Sequence, residues 1–314
     1  MQGMPVKLAT FQLRVIGCGA ALAVAALAGC ERPLQPSVRT TTVNVTDLRK
    51  SLGGDQAAGA ATTVAAKEPT GFASIRGTFK LVGQAPQQRT LTIDKERDVC
   101  MPGGKPVFSN ELVIDPATGG IKNIVVYLFT KIPVGDEKWV HPAYADSQEA
   151  TVEFDQKNCV FLTPMFAMRS TQTVKILNSD PVGHNTNITP SGSKTAPFNQ
   201  TIAGNGFVMY QPGGESPEPF PVSCAIHPWM SSRMIVRDSP YYAVSALDGT
   251  FEIPNVPAGV KLDFKVWQEV AGFLQDVSIN GKPEKLPKGK LTLTLNPDEV
   301  VDLNVEVGAG AFSR

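Results

Sequence analysis

The chain has 314 residues, 42% of them hydrophobic and 18% charged, with 29 basic side chains balancing 29 acidic ones. That composition excludes a disordered polymer and supplies enough apolar material for two modest domains with their own cores. No basic stripe or run of lysines appears, which argues against nucleic acid or an anionic membrane surface as a partner.

The chain opens on "MQGMPVKLATFQLR", which carries Lys7 and Arg14 and no acid, followed by the apolar run "VIGCGAALAVAALAGC". The run is too short for a stable membrane-spanning helix and suits the core of a secretory signal. Its last four residues, "LAGC" at Leu27 to Cys30, resemble the lipobox of bacterial lipoproteins. That resemblance implies a signal peptide over residues 1–29, acylation of Cys30, and a mature protein held by lipid in the bacterial envelope and facing the oxidising periplasm. The alternative is an ordinary secretory signal cut nearby. Several acyl chains, each contributing about 0.8 kcal/mol per buried CH2, would make the anchor permanent. Loss of residues 1–29 leaves 27 basic against 29 acidic side chains, a mature charge near −2.

Residues 30–71 are rich in Ala, Thr and Gly and read as a flexible tether with an r.m.s. span of roughly 35 Å. Three cysteines then remain, Cys100, Cys159 and Cys224. In an oxidising compartment two of them pair. Cys224 lies among candidate metal ligands, so the expected disulfide is Cys100 with Cys159, the alternative being two free buried thiols. Closing that loop would stabilise the fold by about 4 kcal/mol on the chain-entropy account.

Beyond Phe72 the pattern is one of short strands. "SIRGTFKLVG", "RTLTID", "ELVID", "IKNIVVYLFT", "ATVEFDQKNCVFL" and "QTVKILNSD" are rich in β-branched or aromatic residues and are separated by Gly, Pro, Asp or Asn. No segment sustains an amphipathic helix. The expected fold is all-β, with a Greek-key β-sandwich over 72–240, including an N-terminal β extension, followed by a small β-sandwich over 241–314. In the latter, "VKLDFKVW" alternates Leu262, Phe264 and Val266 against Lys261, Asp263 and Lys265. "KLTLTL" and "VVDLNVEV" alternate likewise. The portion "DGTFEIPNVPAG" resembles carboxypeptidase-regulatory or transthyretin-like modules, which implies a structural or partner-facing role.

The chemistry concentrates in "VSCAIHPWMSSRMIVRD", Val222 to Asp238, which places Cys224, His227 and Met230 within seven residues in a chain with three histidines. A thiolate, two imidazoles and a weak thioether suit an ion that cycles between Cu(I) and Cu(II). The second imidazole must come from elsewhere, and His184 in "VKILNSDPVGHNTNI" follows a strand and sits in a Pro/Gly-bearing loop. His141, in "KWVHPAYAD", reads as a surface residue. Met234 is a rival axial ligand, although its place in "SRMIVRD" fits an apolar strand position better. Met165, Met168 and Met209 read as core or surface residues without a role.

"NSDPVGHNTNI" followed by "CAIHPWMSSRMIVRD" resembles the cupredoxins, the type 1 blue copper proteins, over about Ala150 to Asp238. Two residues between Cys and His and two between His and Met are most similar to amicyanin, whereas plastocyanin and pseudoazurin have longer spacings before the methionine. The wider chain looks like bacterial envelope proteins with a plastocyanin-like domain, some called methylamine-utilisation proteins. The resemblance implies one copper held by His184, Cys224 and His227 as strong ligands and Met230 as a long axial one. It also implies that Asn185 steadies the ligand loops and hydrogen-bonds near the sulfur. Pro228 restricts His227 to extended backbone and stiffens the loop. Trp229 offers an apolar docking surface around an exposed His227 edge, the alternative being plain packing.

Counting removes several enzymes. Multicopper oxidases and copper nitrite reductases need further histidines, binuclear CuA needs a second loop cysteine, and c-type haem needs C-x-x-C-H where "CAIHP" has Ile226. Zinc would prefer a stronger fourth ligand than Met230. The expectation is a non-catalytic one-electron carrier, lipid-anchored and exchanging electrons with a dehydrogenase, cytochrome or oxidase. The alternative is a non-redox copper-binding or scaffold lipoprotein whose C-terminal sandwich binds a partner.

Overall fold

The structure, a computed structural model, describes residues 67–313. The signal segment, Cys30 and nearly all of the tether lie outside the described residues. Within them no helix is long and apolar enough to cross a membrane.

Two strands come first, β1 (Gly71–Val82) and β2 (Val125–Leu128), with one turn of α-helix, α1 (Arg97–Cys100), and a 3-10 turn (Pro102–Gly104) between them. A contiguous block follows: β3 (Thr151–Lys157), β4 (Val160–Phe161), β5 (Met165–Arg169), β6 (Thr173–Asn178), β7 (His184–Ile188), β8 (Phe198–Ile202), β9 (Phe207–Tyr210), β10 (Phe220–Ser223) and β11 (Ser231–Arg237). The last block is β12 (Tyr242–Val244), β13 (Thr250–Ala258), β14 (Lys261–Gln268), β15 (Gly272–Phe273), β16 (Asp276–Ile279), β17 (Lys282–Lys285), β18 (Lys290–Thr294) and β19 (Val300–Gly308). The described protein is thus nearly all β.

The middle block forms two sheets, ordered β4-β3-β6-β9 and β5-β11-β10-β7-β8. Their facing sides bury Phe154, Phe161, Ile176, Ile188, Val222 and Met234 in one core. The period-2 alternation that marked these segments as strands also decides this packing, because alternate residues share a face. Met168 and Met234 are core residues here, while Met209 is exposed on the edge strand β9.

The outer strands pair differently from the linear division at residue 240. β1 lies between β13, to which it is antiparallel, and β19, to which it is parallel, in the sheet β13-β1-β19-β16-β17. β2 lies between β12 and β14 in a second sheet, with β15 and β18 also on β14. Ile75 and Phe79 of β1 therefore share a core with Leu262, Phe264, Val305 and Val307. The nine-strand block is nested inside the other sandwich, entering after β2 and leaving into β12. Alternation reports which face a residue takes but not which strand it pairs with, and pairing across such separations is set by tertiary packing. Gly77 shows how tight that packing is: a side-chain carbon there would sit 1.9 Å from the Leu303 carbonyl oxygen of β19. Two segments expected as strands, 89–94 and 111–115, contribute only the isolated bridges Thr90 with Phe108 and Ile114 with Ile121.

The sandwiches meet where Val125, Tyr127 and Trp267 pack on Met165 and Ile235. Arg237 of β11 crosses that seam, donating to the carbonyls of Ser216 (2.6 Å) and Leu128 (3.0 Å) beside Glu215 (3.2 Å). A buried guanidinium is tolerable because it is paired and hydrogen-bonded.

Candidate metal centre

The centre stands at one end of the sheet that contains β7 and β10. These strands are antiparallel neighbours, with Ser223 opposite Asn187. Continuing that register brings the start of β7, His184, to the residues just after β10. β10 and β11 form a hairpin paired Ser223 to Ser231, so Cys224 to Met230 is its connecting loop. Two backbone bonds shape it: Cys224 N–H to Met230 O (3.4 Å) and Met230 N–H to His227 O (2.9 Å). Cys224 and Met230 consequently face each other across the neck of the loop, with His227 at its turn.

The loop before His184 is equally determined. The Asn178 side chain donates to the carbonyls of Val182, Ile202 and Ala203 at 2.8–3.1 Å. Gly204 lets the two segments close, since a side-chain carbon there would lie 2.3 Å from the Pro181 oxygen. Asp180 accepts from the backbone N–H groups of Asn158 (2.7 Å) and Cys159 (2.8 Å) and from His184 Nε2 (2.7 Å). Both amides are aimed by residues with left-handed backbone, φ 53° and 54°.

In the assembled centre, His184 Nδ1 is 2.9 Å from His227 Nδ1, and Cys224 Sγ is 3.9 Å from His227 Nδ1. These donor atoms all lie within 4.8 Å of one another. His184 and His227 are 0% exposed, Cys224 3% and Met230 1%. The sulfur accepts the N–H groups of Asn185 (3.3 Å) and His227 (3.4 Å). Burial pushes the Cys224 thiol up, but the His184 imidazole and these amides outweigh it and hold the thiol below its ordinary value. Burial opposes protonation of His184, which its bonds with Cys224 and Asp180 more than offset, whereas for His227 burial prevails.

The ring nitrogens carry the test of fit. His227 Nε2 is bound to Glu96 Oε2, and His184 Nε2 to Asp180 Oδ2. An ionised carboxylate only accepts, so each Nε2 must donate its hydrogen. In neutral rings both Nδ1 atoms then present lone pairs to each other, beside a sulfur held toward its anionic form. Three such lone pairs converging in a buried space are satisfied by a cation between them, and without one by the proton that His184 favours. Two nitrogens at 2.9 Å and a sulfur at 3.9 Å are separations compatible with bonds of about 2.0–2.3 Å to one ion.

Asn185 lies between the two loops: its backbone amide reaches the sulfur, its Oδ1 accepts from Ala225 N–H (3.2 Å), and its Nδ2 donates to Asn199 Oδ1 (2.7 Å). Pro228 is exposed beside His227. Trp229 frames no exposed imidazole edge, because α1 and Glu96 cover that side of His227. The half-buried indole instead donates to Cys159 O (3.1 Å) and packs 5.1 Å from the His227 ring. Cys100 and Cys159 are joined as a disulfide, both wholly buried, and their sulfurs border the imidazole of His227. Sequence reasoning missed Asp180 and Glu96. The first had a local sign, an acid four residues before His184; the second had none. His141 lies apart, its Nδ1 accepting from Ala143 N–H and its ring edge-on to Phe72.

No protein-family model and no curated protein matches the sequence. Among solved structures, a copper-containing nitrite reductase from Thermus scotoductus SA-01 is similar at 16% identity and TM-score 0.25 over 27% of this chain, which spans 22% of that enzyme. A mutant amicyanin in its Cu(I) form is similar at 15% identity and TM-score 0.25, covering 28% of this chain and 82% of amicyanin. A purple cupredoxin from Nitrosopumilus maritimus is similar at 17% identity and TM-score 0.23, covering 28% of this chain and 99% of that one.

Proposed function

We propose that the protein is a type 1 copper electron carrier, with His184, Cys224 and His227 as strong ligands and Met230 as the weak axial one. The observation that carries the reading is the convergence of two Nδ1 atoms and one sulfur, 2.9 and 3.9 Å apart, in a space sealed from water. Two imidazoles and a thiolate with a nearby thioether are the donor set of blue copper sites. Copper bound there would exchange one electron between Cu(I) and Cu(II). The chain's own part is to keep the donors still. Asp180, Asn185 and the hairpin bonds hold each ligand from at least one further direction, so little needs to rearrange when charge changes. No enzyme role is proposed for these four residues, which are 0–3% exposed.

Copper added to the purified metal-free protein, followed by mild oxidation, is expected to give an intense visible charge-transfer band and a reversible one-electron wave. A copper-loaded protein that stays colourless would overturn the reading. A coloured protein with no reversible wave would favour copper holding without electron transfer.

We further propose that Cys30 carries the lipid anchor, that the protein faces the periplasm, and that its partners are redox proteins reached across the tether. The sequence "LAGC" supports this. Cys30→Ala is expected to move the protein from the membrane fraction to the soluble one; equal membrane retention in the variant would sink the anchor.

A further inference from the structure

Glu96 stands in an unusual place. It precedes α1 with φ 49° and ψ 39°, a left-handed conformation that costs an ordinary side chain roughly 1–2 kcal/mol and that Gly or Asn would adopt more cheaply. Its carbonyl accepts the N–H groups of Val99 (3.0 Å) and Cys100 (2.9 Å), which fixes the backbone. Its side chain, 39% exposed, reaches from the surface to Nε2 of the wholly buried His227, 131 residues away in sequence. Four residues on, Cys100 is bonded to Cys159, whose N–H group is held by Asp180, the carboxylate on the other imidazole. One covalent link therefore ties together the segments that carry or fix the outer partners of both rings.

We propose that Glu96 is a positioning residue for His227: its carboxylate takes the Nε2 hydrogen bond, fixes the tautomer that aims Nδ1 into the centre, and sets negative charge against the ligand. This rests on the copper reading above. A carboxylate behind an imidazole makes the ring a stronger donor, and stronger donation favours the more highly charged ion. Glu96 thereby stabilises Cu(II) relative to Cu(I) and lowers the reduction potential. The left-handed backbone is the local cost of delivering the carboxylate from a turn that the disulfide holds in place.

The test uses the full chain as wild type, Glu96→Gln and Glu96→Asp, with Cu(I) and Cu(II) affinities measured separately. Loss of an outer partner typically costs 10- to 100-fold in metal affinity. Glu96→Gln is expected to keep the visible band but to weaken Cu(II) about tenfold more than Cu(I), a rise in potential of about 59 mV for one electron. Glu96→Asp, which keeps the charge, is expected to recover part of that difference. In the metal-free and Cu(I) proteins, proton NMR should show a slowly exchanging Nε2–H of His227 that shifts in Glu96→Gln. A band present in both variants with a Cu(II)/Cu(I) ratio changed less than about twofold would overturn the role of Glu96 alone. Absence of the band from the wild type would instead overturn the copper reading.

Discussion

Cys224→Ser is expected to abolish the visible band of the oxidised protein while leaving the fold intact. The sulfur accepts two backbone N–H groups, from Asn185 and His227, and a serine oxygen can accept the same pair. The hairpin from Phe220 to Arg237 therefore keeps its shape. What serine cannot supply is an anion at neutral pH. The thiol is already biased toward ionisation by the His184 imidazole and those amides, and the charge-transfer transition needs the thiolate. Met230→Leu is the matched comparison. It conserves volume in a site that is 1% exposed, so its cost in stability should stay below about 1.5 kcal/mol. Leucine removes the thioether proposed as the axial donor, so colour should persist while the potential rises. Absorption spectra and denaturant unfolding of both variants decide the matter. A serine variant that stays blue would show that the sulfur is not the ligand.

The second large effect concerns the disulfide. Cys100 and Cys159 are separated by 59 residues, and releasing that loop should destabilise the protein by about 4 kcal/mol. Alanine is the suitable replacement at both positions, since both are buried in the core of the nested sandwich and a serine hydroxyl would lack water there. The loss should be read from the unfolding free energy extrapolated to water, because the denatured chain freed of its cross-link is less compact and the m-value rises. It should also reach the metal. α1 carries Cys100 beside Glu96, and the turn at Asn158 and Cys159 donates to Asp180. With the bond gone, both imidazoles lose a covalently tethered support, and copper affinity should fall by at least the tenfold expected for one outer partner. A double variant within about 1 kcal/mol of wild type would show that the segment over His227 is held by packing alone.

Local spacing made the hairpin loop legible. Cys224, His227 and Met230 lie so close in sequence that any turn joining two strands brings them together, and their chemistry is independent of the rest of the fold. His184 was legible through the strand before it and Asn185 after it. Leu262, Phe264 and Val266 were legible because period-2 alternation reports the buried face of a strand. Partner choice was not. The Arg76 side chain binds Asp302, 226 residues away, and Glu96 binds His227 across 131; no local property of either residue encodes its mate. Residues 89–94 and 111–115 look like strands because β-branched residues also line extended chain that packs on a core without joining a ladder. Ile93 does this, buried against the nested sandwich. Docking and plain packing stayed open for Trp229 for a related reason: whether an aromatic beside His227 meets solvent depends on the remote segment that covers it.

The nesting of one sandwich inside the other has a consequence for the order of biosynthesis. A ribosome working from the N-terminus has made every strand of the inner module once residue 237 is added, and His184, Cys224, His227 and Met230 by residue 230. The surrounding module is still missing β13 and β19, the two neighbours between which β1 must lie. Its first strand thus waits with both edges open until β13 is complete at residue 258 and with one edge open until residue 308, more than two hundred residues after its own end, while the inner module already has its full complement.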